Sequence, residues 1–173
     1  KLDYAIQVDG DDITVDPDYM DLCLTNLLND PNLDVVSVNG LPIGISTKSF
    51  SYKAMQKVFE RYETTNNDTG FGSYFTETDF CNYKSLNPIS EKHIFDRLRL
   101  TLDYEEDFLL FETIFKKLYK YGEVFRLQQI IDLIKTEPQI TEINYFLQEE
   151  YMNRWHEKRN INYKDNNGKI KSI

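Results

Sequence analysis

Tyr4-Ala-Ile-Gln-Val-Asp-Gly-Asp-Asp12 is the stretch on which the reading of this chain turns. A short apolar run bounded by Gly and Asp suits a strand better than a helix, so residues 4–8 are expected to form a buried β-strand. That strand would deliver Asp9, Asp11 and Asp12 at its C-terminal end. Asp16-Pro17-Asp18 follows, with an N-cap residue, a proline at the first helical position and an acid in the first turn. It predicts a helix to about Asn29, with Met20, Cys23, Leu24, Leu27 and Leu28 as its apolar stripe. Asp30-Pro31-Asn32 stops that helix, and Asp34 to Val38 is the next strand. Strand, helix and strand in this order form a βαβ-type unit, which predicts a sheet that is at least partly parallel.

In an open α/β sheet, ligands bind outside the C-terminal ends of the strands. Acidic oxygens converging there without a nearby Lys or Arg suit a hard cation, Mg2+ or Mn2+. Capping accounts for Asp16, whereas Asp11 is the candidate ligand; the bland alternative is a solvated acidic turn.

The bulk composition sets limits. One domain is expected from 173 residues, and 40% hydrophobic with 14% aromatic content argues against disorder. With 29 acidic and 20 basic residues the net charge is -9, which repels nucleic acid. Any nucleotide or sugar phosphate must therefore be held locally, by a cation or by basic side chains. Cys23 lies on a helical apolar face and reads as a buried thiol. No signal peptide, membrane span or lipidation motif is present, which favours the cytoplasm. Among the catalytic signatures, no Ser-His-Asp order, nucleophile elbow or Gly-Lys-Ser/Thr phosphate loop occurs. His93 and His156 have no partner pattern and read as structural or surface residues.

Further along, Leu41-Pro-Ile-Gly44 is a loop on an unusual backbone path. A strand from Ile45 to Phe50 leads into a helix from Ser51 to Tyr62, whose core face is Met55, Val58, Phe59 and Tyr62. Residues 63–72 read as a lid or a surface excursion. Tyr74, Phe75, Phe80 and Tyr83 are candidates for a pocket lining or a subunit contact. In residues 97–102, Leu98, Leu100 and Leu102 alternate with Arg97, Arg99 and Thr101 as in a half-buried strand. Asp103 ends that strand, where it would lie beside Asp11. A helix from Tyr104 to Tyr121 follows, with its apolar stripe at Phe108, Phe111, Phe115 and Leu118. Glu105, Glu106 and Asp107 in its first turn complement the helix dipole. Leu127, Ile130, Ile131 and Ile134 predict a short helix. Ile143 to Arg159 predicts a longer one, packed through Phe146, Leu147, Tyr151 and Trp155, and the polar tail at 161–173 is expected to fray.

Four blocks in order resemble the cytidylyltransferases, nearest the spore-coat polysaccharide branch related to the acylneuraminate enzymes. They are Val8-Asp-Gly-Asp-Asp12 with Asp16-Pro17, Leu41-Pro-Ile-Gly44 before Phe50-Ser-Tyr-Lys-Ala54, Arg99-Leu-Thr-Leu-Asp-Tyr-Glu-Glu-Asp107, and Pro138-Gln-Ile-Thr-Glu-Ile-Asn144. The resemblance implies a Rossmann-like (GT-A-like) α/β nucleotidyltransferase fold, with a mixed, mostly parallel sheet flanked by helices. It implies a reaction in which CTP and a sugar acid or phosphorylated small molecule give a CMP conjugate and pyrophosphate, in a homodimer. By the same resemblance Asp11 and Asp103 would be the catalytic metal ligands, with Asp9 supporting them, and Mg2+ (or Mn2+) the ion. Leu41, Pro42 and Gly44 would approach the acceptor, and Arg99 an anionic substrate. The family's glycine- and arginine-containing nucleotide loop has no counterpart here, so residues 1–160 are expected to be the C-terminal portion of one nucleotidyltransferase domain. Thr69-Gly-Phe-Gly-Ser-Tyr-Phe-Thr76 stands where related sequences carry an Arg-Glu-His block, which leaves the acceptor open. Two other readings stand beside this one: a GT-A type glycosyltransferase using Asp9-Gly10-Asp11 as an Asp-x-Asp motif, and an inactive oligomerisation module.

Overall fold

A computed structural model describes residues 2–64 and 70–173. The two strands expected to flank the first helix, β1 (Tyr4–Gln7) and β2 (Val35–Val38), do form. They do not touch, because β3 (Lys48–Ser51) lies between them and runs antiparallel to both. Residues 39–47 are too few for a parallel crossover, which takes roughly a dozen, so the chain must come straight back. β4 (Tyr83–Leu86) then adds parallel to β2, giving the order β1-β3-β2-β4. The sheet is mixed, as expected, but the expectation of mostly parallel pairing is corrected: only the β2–β4 pairing is parallel.

Helix α1 (Pro17–Asn29) begins where the capping signal placed it, with Asp16 accepting the Asp18 amide at 3.1 Å. It packs over β2 and β3, burying Tyr19, Cys23 and Leu27. Cys23 is a free, fully buried thiol whose pKa burial pushes up to about 11. Helix α2 (Tyr52–Arg61) is capped by Ser51, and a short α3 (Ser73–Thr76) precedes β4. Helices α4 (Glu105–Leu118), α5 (Leu127–Thr136) and α6 (Gln148–Lys158) follow. The chain ends in a hairpin of β5 (Asn162–Lys164) and β6 (Ile170–Ser172).

The central strand β2 feeds two cores, one on each face of the sheet. Val36 and Val38 join Cys23, Leu100, Leu110 and the isoleucines of α5. Val35 points the other way, to Phe50, Val58, Tyr74, Phe75 and Tyr163. All four residues of β2 are buried because it has neighbours on both sides and layers on both faces.

Several local expectations are corrected. β1 is an edge strand: Tyr4 and Ile6, like the flanking Val8, stay more than a third exposed, since α1 and α2 pack on β2 and β3 rather than on it. On α2 the buried face is Ala54 and Val58, while Met55 and Phe59 point outward. Tyr74, Phe75 and Phe80 are core residues, neither a pocket lining nor a subunit contact. Residues 97–102 form no full strand: Arg97 lies in a turn and the segment makes only an isolated parallel bridge, Ile43 to Arg99. The polar tail folds back, with Ile161 and Tyr163 buried against α2 and α3. Its turn is built by Asp165, whose side chain accepts the amides of Asn167 and Lys169, and by Gly168 at φ 77°. The lid expectation for residues 63–72 falls in its middle part, 65–69, outside the described residues. No described helix is long and apolar enough to cross a membrane.

Candidate active site

The loop after β1 turns tightly, the Asp12 amide bonding the Asp9 carbonyl at 3.1 Å. The Asp11 carbonyl then accepts the Leu102 amide at 3.0 Å. That one backbone bond ties the acidic loop to the segment ending at Asp103. Asp9, Asp11 and Asp103 consequently share the wall of one cavity of about 660 Å3. The three acids singled out from the sequence are thus brought together.

The other four candidate residues are not on that wall. Leu41, Pro42 and Gly44 pack against the 98–102 segment: the Ile43 carbonyl accepts the Leu100 amide at 2.9 Å. Gly44, at φ 89°, sits so close that a Cβ there would lie 2.0 Å from the Leu100 carbonyl oxygen. Its role is to let two backbones meet. Arg99 is fully buried behind the cavity. It therefore acts on the site from behind, through its ion pairs.

Asp103 is held by three donors. Arg99 Nη2 reaches its Oδ2 at 2.7 Å, the Thr101 hydroxyl donates to the same oxygen at 3.2 Å, and Arg154 Nη2 reaches Oδ1 at 3.2 Å. Arg99 is fixed in turn by Asp107, which is completely buried: Nε donates to Oδ1 at 3.0 Å and Nη2 to Oδ2 at 3.1 Å. Asp107 also accepts the backbone amides of Asp103 and Tyr104 at 2.9 and 3.0 Å, which makes it the reciprocal cap of α4. Asn144 completes the cluster, donating to the Asp107 carboxylate at 2.8 Å and to the Arg99 carbonyl at 3.0 Å. Burial alone would lower the Arg99 pKa, but the bonds and charges of Asp107 and Asp103 outweigh it and hold the value above the ordinary one. The helix-dipole explanation of Asp107 is thus incomplete. This carboxylate orients the arginine that orients Asp103. Holding Asn144 in the core at φ -134° also explains why the last long helix starts at Gln148 rather than Ile143.

Helix α6 forms the opposite wall. Tyr151 stacks on the Arg99 guanidinium, 4.3 Å from the ring centre, and Arg154 lies over Tyr104 at 5.0 Å. Tyr151, Arg154, Trp155 and Lys158 are spaced three and four apart, so one helix face lines the cavity. Of the residues expected to pack this helix, Leu147 is buried just before it, while Phe146 is 65% exposed and α6 itself has no fully buried residue.

The acids repel one another. Burial first, then the charges of Asp11, Asp9 and Asp103, push the Asp12 pKa up to about 6, with the nearby Thr101 hydroxyl opposing. A cation in this loop would relieve that repulsion. Among the described residues, no three His, Cys, Asp or Glu side chains group closely enough to hold a metal by themselves. Mg2+ commonly takes only one or two carboxylates and completes its shell with phosphate oxygens and water. Asp11, and Asp103 if Arg154 turns away from its Oδ1, could supply two such carboxylates.

The fold is mixed α/β, with helices on both faces of a mixed sheet. Among solved structures it is similar to a cytidylyltransferase from Leptospira borgpetersenii serovar Hardjo-bovis (strain JB197), with a TM-score of 0.70 and 17% identity. The match covers 81% of this chain and 59% of that one, so this chain spans about three-fifths of its neighbour. At this identity the likeness is one of fold. No family model and no curated protein matches the sequence.

Proposed function

We propose that the protein is a nucleotidyltransferase domain that transfers CMP from CTP to a sugar acid or a phosphorylated small molecule, releasing pyrophosphate. The observation that carries this reading is the meeting of Asp11 and Asp103 on one cavity wall, in a fold shared with a cytidylyltransferase. Asp11 and Asp103 would hold Mg2+ (or Mn2+), with Asp9 nearby; bound there, the ion would offset charge developing on the α-phosphate and the departing pyrophosphate. The protein's own part is positioning. Asp107 and Arg99 set the direction of Asp103, and the Leu102–Asp11 backbone bond sets its separation from the acidic loop.

Pyrophosphate release is measured with CTP, Mg2+ and candidate acids or phosphorylated acceptors, against hydrolysis of UDP- and GDP-sugars. CTP-dependent release that is lost in Asp11→Asn supports the transferase reading. Sugar-nucleotide turnover without pyrophosphate release would move the assignment to a GT-A type glycosyltransferase. CTP binding that survives Asp11→Ala unchanged would remove Asp11 from the site.

A further inference from the structure

On a chain of net charge -9, a cavity wall that gathers three cations calls for an explanation. Arg154 and Lys158 come from the exposed face of α6, and Lys48 enters from β3. Lys48 is half-buried, with its chain laid over Gly72, where a Cβ would stand 3.2 Å from its Cε. Among the described residues neither Lys48 nor Lys158 forms an ion pair. A partly desolvated ammonium without a counter-charge is held at a cost that a negative ligand removes.

Two of the four acids on the wall already have cationic partners: Glu77 has Arg159, and Asp103 has Arg154 together with Arg99, which it shares with Asp107. Asp103 therefore keeps a partner if Arg154 leaves it. Lys48 stands opposite Gln7 in the β1–β3 pairing, on the sheet side of the cavity, while Arg154 and Lys158 enter from α6.

We propose that Lys48, Arg154 and Lys158 form a subsite for the negatively charged group, phosphate or carboxylate, of a small substrate. Arg154 turns from Asp103 onto that group, where its planar fork makes two parallel hydrogen bonds. The Trp155 indole lies beside it as an apolar platform. Assigning the ligand as a reactant rests on the nucleotidyl-transfer reading; the subsite does not.

Trp155 is the one tryptophan in the sequence, so intrinsic fluorescence reports directly on this wall. The full chain is titrated without CTP or divalent cation, at constant ionic strength, with inorganic phosphate, pyrophosphate or gluconate. We expect a saturable change with at least one anion and Kd values about tenfold weaker in Lys48→Gln and in Lys158→Gln, the loss of one charged contact. Lys158 is exposed, so its variant tests the subsite without endangering the fold. Strongest binding of gluconate would point to a sugar acid, of phosphate to a phosphorylated acceptor, and of pyrophosphate to the triphosphate end of a nucleotide. No saturable change with any of the three, or a Kd unchanged from the wild type in both lysine variants, overturns the subsite. A failed CTP assay beside intact, lysine-dependent anion binding would sink the proposed reaction and leave the subsite standing.

Discussion

Arg99 and Asp107 meet in a two-point ion pair with both side chains at 0% exposure, and the shortest of the side-chain bonds that orient Asp103, from Arg99 Nη2 at 2.7 Å, is anchored by it. Two charges taken out of water are stable there because they are paired and multiply hydrogen-bonded, even though Arg99 Nη1 finds no partner among the described residues. Removing one partner strands the other. Asp107→Ala is expected to cost about 3–5 kcal/mol, read as the shift in urea unfolding. A cost under about 1 kcal/mol would show that the pair is not the support of this region.

Asp11 should separate function from stability. Its side chain is half-buried and makes no hydrogen bond among the described residues, so Asp11→Asn is expected to change unfolding free energy by no more than about 0.5 kcal/mol. The same variant should lose Mn2+-dependent CTP binding in calorimetry. Unaltered Mn2+-dependent binding would exclude this carboxylate as a ligand.

Gly44→Ala should be severely destabilising. The added methyl would meet a backbone carbonyl at 2.0 Å, in a left-handed conformation that also strains alanine. A loss of at least about 2–3 kcal/mol is expected by denaturant unfolding, whereas Gly122→Ala, with open space around it, should cost only the strain of its φ of 80°.

The proton on Asp12 gives a pH signature. Its folded pKa of about 6 lies above the ordinary 3.8, so between these values the folded protein keeps a proton that the unfolded chain has lost. Stability therefore falls as pH rises through that window, and the group's penalty is fully present above it. Asp12→Asn should flatten this part of the stability profile. Added Mn2+ should lower the Asp12 pKa in the wild type, seen as loss of the protonated-carboxyl infrared band at pH 5; an unchanged band would mean that no cation enters the loop.

What was legible in the sequence was whatever depended on local chemistry. Asp16-Pro17 marked the start of α1, and Leu127, Ile130, Ile131 and Ile134 proved to be the buried stripe of α5. The link from Asp11 to Asp103 followed from strand ends in one sheet, although 97–102 is held by backbone bonds to two loops and not by a full strand. What was missed depended on neighbours. On α4 the phenylalanines at 108, 111 and 115 drew the eye, but the buried face is Asp107, Leu110, Phe111 and Ile114. The same three-and-four spacing ran through it, disguised because its first member is charged. Arg99 looked solvent-facing on an alternating strand because nothing local announces that Asp107 and Tyr151 will cover it. On α6 the periodicity of Tyr151 and Trp155 was visible, but a helix face lining a cavity and one packed in a core have the same period.

β1 hydrogen-bonds to β3 along one side only, while its other side is open among the described residues and its apolar side chains are partly exposed. The acidic loop is the direct continuation of this singly anchored strand. Polypeptide pairing along the open side would stiffen the strand and, with it, the spacing of Asp9 and Asp11. Assembly at that edge and readiness of the acids would then be a single event, and the affinity of the loop for a cation would report on whether the edge is covered.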